Sequence, residues 1–507
     1  MSNQIKAGVI LNYVIIFLNI AVGLLYTPYM LRTMGQSEYG LYSLVASVIS
    51  YLTVLDLGFG NAIVRYTAKF KTEGKQTEQY EMFGMFLVLY SIIGVVSFVI
   101  GLGLYINVED IFGDTMTAYE LGRARIMIML LIVNLAITFP LSTFGSIIQA
   151  YEQFVFNRSL KILRTILSTG VMIALLSMGY RAVAMVIVQT VFNITTLLFD
   201  YLYCRYKLRI KIIFHNFKWG FLKEVATYSF WIFLCIIIER VYWSTGQFIL
   251  GAVVSTSSVA IFSLAITLVQ MYMNFSTSIS GVFLPRITGM VANNTDNKEL
   301  LDLLIKTGRI QFYIVSLILS GFIVFGDQFI EFWAGKEYAE SYTICVMCFV
   351  ALFIPLIQTL GPIILQAKNE MKFRTLLFSG FSIVCLFLQI ILAPKYGGTG
   401  CAAAILVAFF LGQGIILNVY YHIKQKLNMI YFWGEIFKIA IFPTIFTFVS
   451  YFIIKLAPAN NITTLILYII VYSIIYLLMC YIMSFNEYEK SIVKSVVKIF
   501  TNKYDNR

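Results

Sequence analysis

The sequence predicts an all-α integral membrane protein of about fourteen transmembrane helices, arranged as two parallel-repeat six-helix lobes plus two C-terminal helices. Three observations predict it: composition, the number of long apolar stretches, and a loop that recurs at a fixed offset. Of 507 residues, 60% are hydrophobic and 12% are charged. A soluble domain carries about 45–50% apolar and about 25% charged residues. A water-soluble globule, a disordered chain and a disulfide scaffold are excluded. A helix that crosses a bilayer needs about 20 apolar residues, and charge and turn punctuation delimit fourteen stretches of that kind. They fall at 8–30, 39–64, 82–106, 126–148, 160–178, 182–203, 225–250, 257–284, 310–330, 343–366, 373–393, 399–421, 436–456 and 462–484. No connection between them is long enough to hold a folded aqueous domain.

The first stretch, from Gly8 to Tyr29, is too long for a signal-peptide core and lacks a clear small-residue cleavage site, so it reads as a retained helix. The seven cysteines are scattered mostly through apolar segments and read as small core residues. Cys345 and Cys348 form a C-x-x-C pair, but no second pair exists and the two histidines, His215 and His422, are remote in sequence. No metal site is expected.

Charge sets the orientation. With alternate connections assigned to one side, the side holding both termini collects 29 of the 37 Lys and Arg residues. The opposite side holds seven, namely Arg32, Arg123, Arg125, Arg181, Lys336, Lys395 and Lys455, and Arg240 lies within a span. Basic loops stay in the cytoplasm, so both termini are expected there, in a multi-pass membrane protein. The formal charge of +12 then divides as +15 inside, −2 outside and −1 within the membrane. It is a topology signal. Nucleic-acid binding is not expected, because no domain is available to present a basic patch.

Two loops repeat. Gly145-Ser-Ile-Ile-Gln149-Ala150 follows the fourth span, and Gly361-Pro-Ile-Ile-Leu-Gln366-Ala367 follows the tenth. Leu41-Tyr-Ser-Leu-Val in the second span is echoed by Ile261-Phe-Ser-Leu-Ala in the eighth, which brings Arg65 and Arg286 within one residue of equivalence. The offset of about 220 residues covers an even number of spans, so both copies stand the same way up, a plan common to secondary transporters. The domains expected are 1–203 (N-terminal lobe), 204–224 (basic cytoplasmic linker), 225–421 (C-terminal lobe), 422–484 (two appended spans) and 485–507 (basic cytoplasmic tail). Pro140, Pro355 and Pro362 fall in the matching fourth and tenth spans; they mark either a central pathway or packing kinks.

The stretch Pro28–Leu44 (PYMLRTMGQSEYGLYSL), followed by Leu55–Lys69 (LDLGFGNAIVRYTAK), resembles the N-terminal region of Wzx-type polysaccharide and O-antigen flippases. These belong to the multidrug/oligosaccharidyl-lipid/polysaccharide exporter superfamily, with the MATE drug exporters and the lipid II flippases. Span count, length and two-lobe plan extend the resemblance over nearly the whole chain. It implies a V-shaped helical bundle that moves undecaprenyl-diphosphate-linked oligosaccharide from the cytoplasmic to the outer leaflet for O-antigen, capsule or exopolysaccharide synthesis. Membrane lipid, a polysaccharide polymerase and a chain-length regulator are the further candidate partners. No cofactor is expected; any coupling would come from an H+ or Na+ gradient or from the membrane potential.

Such a substrate asks for a wet cavity, cations for the diphosphate, amides and hydroxyls for the sugar, and a lateral opening for the tail. Arginine suits the diphosphate, because its planar fork holds two phosphate oxygens. Arg240 sits within the seventh span beside Glu239; a charge at mid-helix costs about 2.5–3.5 kcal/mol in lipid, so neither is expected to face it. Helix neighbours point about 100° apart, so the two are not expected simply to pair. The functional reading makes Arg240 the headgroup anchor and Glu239 its tuning partner or a proton site; a structural ion pair is the plainer one. Asp56 lies inside the second span, with Gly58 and Gly60 beside it to let the backbone bend. Arg65, at the cytoplasmic end, and Arg286, its counterpart, are candidates to meet the diphosphate or positive-inside anchors. Arg32, at the outer end of the first span, is a late contact or an anchor. Gln149 and Gln366 are gating candidates or helix caps.

No G-x-x-x-x-G-K-[ST] phosphate loop is present: Gly335-Lys336 is followed by Glu337 and lacks the earlier glycine. The longest outer connection, about Asn107 to Arg125, is too short for a catalytic domain, and its acids Glu109, Asp110, Asp114 and Glu120 read as a solvated face. A transporter is therefore expected rather than an enzyme. The alternatives are a cation-coupled multidrug exporter on the same fold and a membrane polymerase or transferase.

Overall fold

The computed structural model describes residues 2–215, 219–280, 283–293, 295–368, 370–491 and 493–494. Residues 216–218 of the expected linker, and 492 and 495–507 of the expected tail, lie outside them. Every regular element among the described residues is helical: α1 (Ser2–Met34), α2 (Gln36–Leu52), α3 (Phe59–Thr72), α4 (Gln76–Ile106), α5 (Val108–Phe112), α6 (Ala118–Ala150), α7 (Phe154–Ser177), α8 (Ala182–Leu202), α9 (Trp219–Trp243), α10 (Thr245–Val253), α11 (Thr256–Ser280), α12 (Leu284–Ala292), α13 (Asn297–Trp333), α14 (Glu340–Ile357), α15 (Leu360–Ala367), α16 (Met371–Phe409), α17 (Leu417–Ile423), α18 (Met429–Leu456) and α19 (Ile462–Met483).

Twelve of the described helical stretches are long and apolar enough to cross a membrane, or thirteen if the bent pair 232–243 and 245–253 is one span. The sequence predicts fourteen. The difference lies in the run from Met371 to Ile423, which counts once although it has 53 residues, far beyond the about 20 that one crossing needs. Gly397 breaks it with φ 57° and ψ −138°, between the two spans predicted there. Large apolar side chains such as Phe17, Leu25, Ile430 and Leu456 are exposed, as hydrocarbon-facing positions require. The chain is a multi-pass membrane protein.

It divides into two compact units. The first comprises the residues up to Ser263 with Leu386–Gly398; the second comprises Leu264–Cys385 with the residues from Thr399 onward. The first unit is built around α6, which packs on α2, α3, α4 and α8, while α1 lies along α7. The span predicted at 39–64 is broken: after α2 comes a 3₁₀ turn (Thr53–Asp56), then Leu57 and Gly58 in the left-handed region at φ 53° and 72°, then α3. Gly58 has a second reason to be glycine, since a Cβ there would stand 2.6 Å from Ile232 Cγ2 of α9.

Polar pins hold one rim of this unit. Glu38 is buried, pairs with Arg123 at 2.9 Å, and accepts from the Ala182 N–H that opens α8. Glu120 closes a capping box with Thr117, then accepts from Ser37 at 2.5 Å and from Thr256 at 2.9 Å, tying the starts of α2, α6 and α11 together. Glu120 therefore departs from the solvated face expected of this loop; Glu109 pairs with Arg125 at 2.7 Å. Beside this rim α2 rides directly on α11, where a Cβ on Gly40 would lie 1.9 Å from the Thr256 carbonyl oxygen. That atom is backbone and cannot swing aside. Gly40→Ala is expected to destabilise by about 1–3 kcal/mol, read as a lowered melting midpoint of the purified protein. Gly122→Ala, where nothing lies within 4 Å of the added carbon, is the matched control.

The second unit is organised on α13, with α14, α18 and α19 packed along it and α12 against α15. The two spans expected as an appendage thus lie on the unit's central helix. One side chain fastens them. Arg309 of α13 is only 7% exposed and donates to Glu489, 3% exposed, through Nε at 2.6 Å and Nη2 at 3.1 Å. It also faces Glu435 of α18 at 3.6 Å and donates to the Ser484 carbonyl at 3.0 Å, just past α19. Asn486 and Glu489 exchange cap hydrogen bonds, which fix the carboxylate that Arg309 meets.

Candidate functional site

Within the first unit, the anticipated residues occupy separate surroundings. Arg240 sits in the last turn of α9, half-buried, and its Nε is buried without a hydrogen-bond partner among the described residues. Its charge acts on Tyr51, whose hydroxyl shares a short hydrogen bond with Thr245 Oγ1 at the start of α10. Three polar groups from α2, α9 and α10 thus surround the bend between the paired helices. Glu239 is exposed, and among the described residues it enters no ion pair with Arg240 or any other cation.

Asp56 ends the 3₁₀ turn and accepts from the Tyr90 hydroxyl of α4 at 2.7 Å, while Gly58 offers its N–H. Arg65 is exposed on α3, with its guanidinium 5.7 Å from the centre of the Tyr66 ring. Asp56 and Arg65 are therefore separated by the break and serve different surroundings. Arg32 is exposed in the last turn of α1, and Arg286 is exposed on α12 in the second unit.

Gln149 and Gln366 are exposed at the ends of α6 and α15. Their loops share backbone chemistry. Tyr151 N–H bonds to Ile147 O and Gln153 N–H to Ile148 O; Lys368 N–H bonds to Ile364 O and Glu370 N–H to Leu365 O. Burial holds the Lys368 ammonium below its ordinary pKa, and it donates to Asn297 at 3.1 Å.

Sequence reasoning missed a polar feature. A cavity of about 550 Å³ lies within the first unit, lined from α1, α2, the 3₁₀ turn, α6, α7 and α8. That is within the range of about 300–1,000 Å³ typical of small-molecule sites. Its polar lining includes Tyr26, Thr53, Asn134, Arg164, Gln189 and Asn193. Arg164 is the one charged residue among the described lining and enters no ion pair among the described residues. Asn193 donates to Asn134 Oδ1 at 2.9 Å and to Thr138 Oγ1 at 2.8 Å, and Gln189 donates to the Tyr42 hydroxyl.

The signal was present in the spacing. Asn134 and Thr138, Arg164 and Ser168, and Gln189 and Asn193 are three polar pairs at i,i+4 in three apolar helices. Residues four apart share a helix face, and all six line this cavity. The span predicted at 160–178 places Arg164 only four residues inside its start. The helix starts at Phe154, which carries Arg164 about 15 Å into it at 1.5 Å per residue.

The family model described as "Polysaccharide biosynthesis protein" matches residues 5–291. A "Putative O-antigen transporter" of Shigella flexneri is 20% identical over 380 residues, covering 74% of this chain and 87% of that protein. The solved structure of the lipid II flippase MurJ in an inward closed conformation superposes with a TM-score of 0.69 at 15% identity, covering 95% of this chain and 99% of that one. An inward-facing multidrug-resistance MATE transporter superposes with a TM-score of 0.60 at 14% identity, covering 77% and 96% respectively.

Proposed function

Because the chain belongs to the polysaccharide biosynthesis protein family, we propose that it carries undecaprenyl-diphosphate-linked oligosaccharide repeat units from the cytoplasmic to the outer leaflet of the bacterial inner membrane. It is a transporter, not an enzyme, and its relatives are transporters and flippases. The movement is alternating access, and the product feeds O-antigen, capsule or exopolysaccharide synthesis alongside a polymerase and a chain-length regulator. Both termini are cytoplasmic, as the charge asymmetry requires. Driving force comes from an H+ or Na+ gradient or from the membrane potential.

One observation carries this reading furthest. The membrane-embedded cavity offers a cation, amides and hydroxyls, and no carboxylate among its described lining residues. A pocket for cationic drugs calls for the opposite sign, since each charge in a low-dielectric site strongly favours its complement. Arg240, Arg65 and Arg32 of the first unit are further candidate cations for the substrate, as is Arg286 of the second. Asp56 and Glu239 set the local field, and Gln149 and Gln366, each at a helix end of its own unit, are the gating candidates.

The test is reconstitution. The purified chain in liposomes should move a fluorescent undecaprenyl-diphosphate oligosaccharide across the bilayer, and a deletion strain should lose surface polysaccharide without gaining drug sensitivity. Drug efflux with intact polysaccharide would replace this reading with the multidrug one. Sugar polymerisation by the purified chain would replace it with the transferase one.

A further inference from the structure

We infer that the cavity of the first unit is a glycan subsite selective for a sugar bearing one carboxylate, with Arg164 as the group that reads the acid. This rests on the flippase reading and names the part of the substrate that the cavity takes.

The argument begins with charge. Arg164 is the one charged residue among the described lining of the cavity, and no carboxylate among the described residues pairs with it. An arginine well inside a membrane helix costs energy unless something meets it, and its planar fork matches a carboxylate or phosphate edge. A single cation balances one negative charge. A diphosphate brings more than one, so a sugar acid is the better match to a site with one arginine.

The neutral lining agrees. Asn193 spends its amide hydrogens on Asn134 and Thr138, and Thr138 donates to the Asn134 carbonyl at 2.7 Å. The Asn134 amide hydrogens and the Asn193 carbonyl oxygen are left to meet a ligand: a donor and an acceptor held by a fixed network. Ring hydroxyls both give and take hydrogen bonds, so one sugar satisfies both. Ser168, one turn from Arg164 on the same helix, also lines the space and adds a hydroxyl.

The test has two arms. In liposomes, the wild-type chain is given two lipid-linked disaccharides that differ only in a terminal glucuronate or glucose. The acid-bearing lipid should cross at least about tenfold faster, the margin of one charge-assisted contact. Arg164→Gln should bring that ratio to within about twofold of one, and Arg164→Lys, which keeps the charge and loses the fork, should fall between. In detergent, saturation-transfer NMR should show free glucuronate bound by the wild type far more than glucose, and lost in Arg164→Gln at an unchanged melting midpoint.

Equal wild-type rates for the two lipids would overturn the assignment, and that comparison needs no variant. Retained glucuronate binding in a well-folded Arg164→Gln protein would overturn it too. Inorganic pyrophosphate binding through Arg164 in place of glucuronate would move the arginine to the headgroup and end the sugar assignment. If neither lipid crosses while glucuronate binds through Arg164, the flippase reading falls and the site stands. If both cross equally and glucuronate does not bind, the site falls and the flippase reading stands. If nothing crosses and nothing binds, both fall.

Discussion

Arg309→Ala is expected to cost about 3–5 kcal/mol of stability, the loss found when one partner of a buried ion pair is removed. The reason is the carboxylate left behind. Glu489 is 3% exposed and lies 2.6 Å from Arg309 Nε; without the guanidinium it is a buried anion left with the Asn486 N–H at 2.8 Å and the Tyr313 hydroxyl at 3.4 Å. Arg309 also neutralises Glu435, which Lys438 reaches at 2.5 Å, so that acid keeps one cation and is hurt less. Size-exclusion profiles in detergent and the melting midpoint should both report the loss. Arg309→Met combined with Glu489→Leu should recover most of it, since two apolar groups of similar volume leave no buried charge. A single substitution that leaves the midpoint unchanged would show that α18 and α19 are held by apolar packing alone. So would Glu489→Ala matching the wild type.

The legibility of the fold follows from the physics of each signal. Apolar length is a local property, and the helices crossing the bilayer were legible from it, including both limbs around Gly397 that the long run from Met371 joins. The break at Leu57 and Gly58 was half legible: the glycines beside Asp56 announced a bend, but not that Asp56 would turn to Tyr90, 34 residues away. Arg309 was illegible. It stands at the edge of a predicted span, where a basic residue is ordinarily an anchor, and Glu489 is 180 residues further on. Long-range pairing leaves no mark in either neighbourhood. Arg164 failed for a different reason, a helix start misplaced by six residues. With α7 starting at Phe154, Arg164 is a mid-helix cation, and the i,i+4 polar pairs of α6, α7 and α8 were open to view.

Arg240→Ala should show the opposite signature to Arg309→Ala, with export lost and the fold kept. Arg240 Nε is buried without a hydrogen-bond partner among the described residues, and no carboxylate there forms an ion pair with it. Removing the side chain therefore strands no ion-pair partner among the described residues; stability should hold. Tyr51 and Thr245 keep each other's hydrogen bond. If the arginine meets the diphosphate, the variant forfeits a charge-assisted contact worth about 1.5–3 kcal/mol, which is about a ten- to hundredfold fall in flipping rate. Surface polysaccharide should drop to match while the amount of protein in the membrane stays level. Arg240→Lys keeps the charge without the bidentate fork and should land between. Glu239→Gln separates the tuning role from the anchor: it removes a charge beside Arg240 without touching the guanidinium, so export should persist where Arg240→Ala loses it. Were Arg240→Ala to unfold the protein while the surviving fraction exported normally, the arginine would be a structural residue of the bend between α9 and α10, and the diphosphate would have to be met elsewhere on the route.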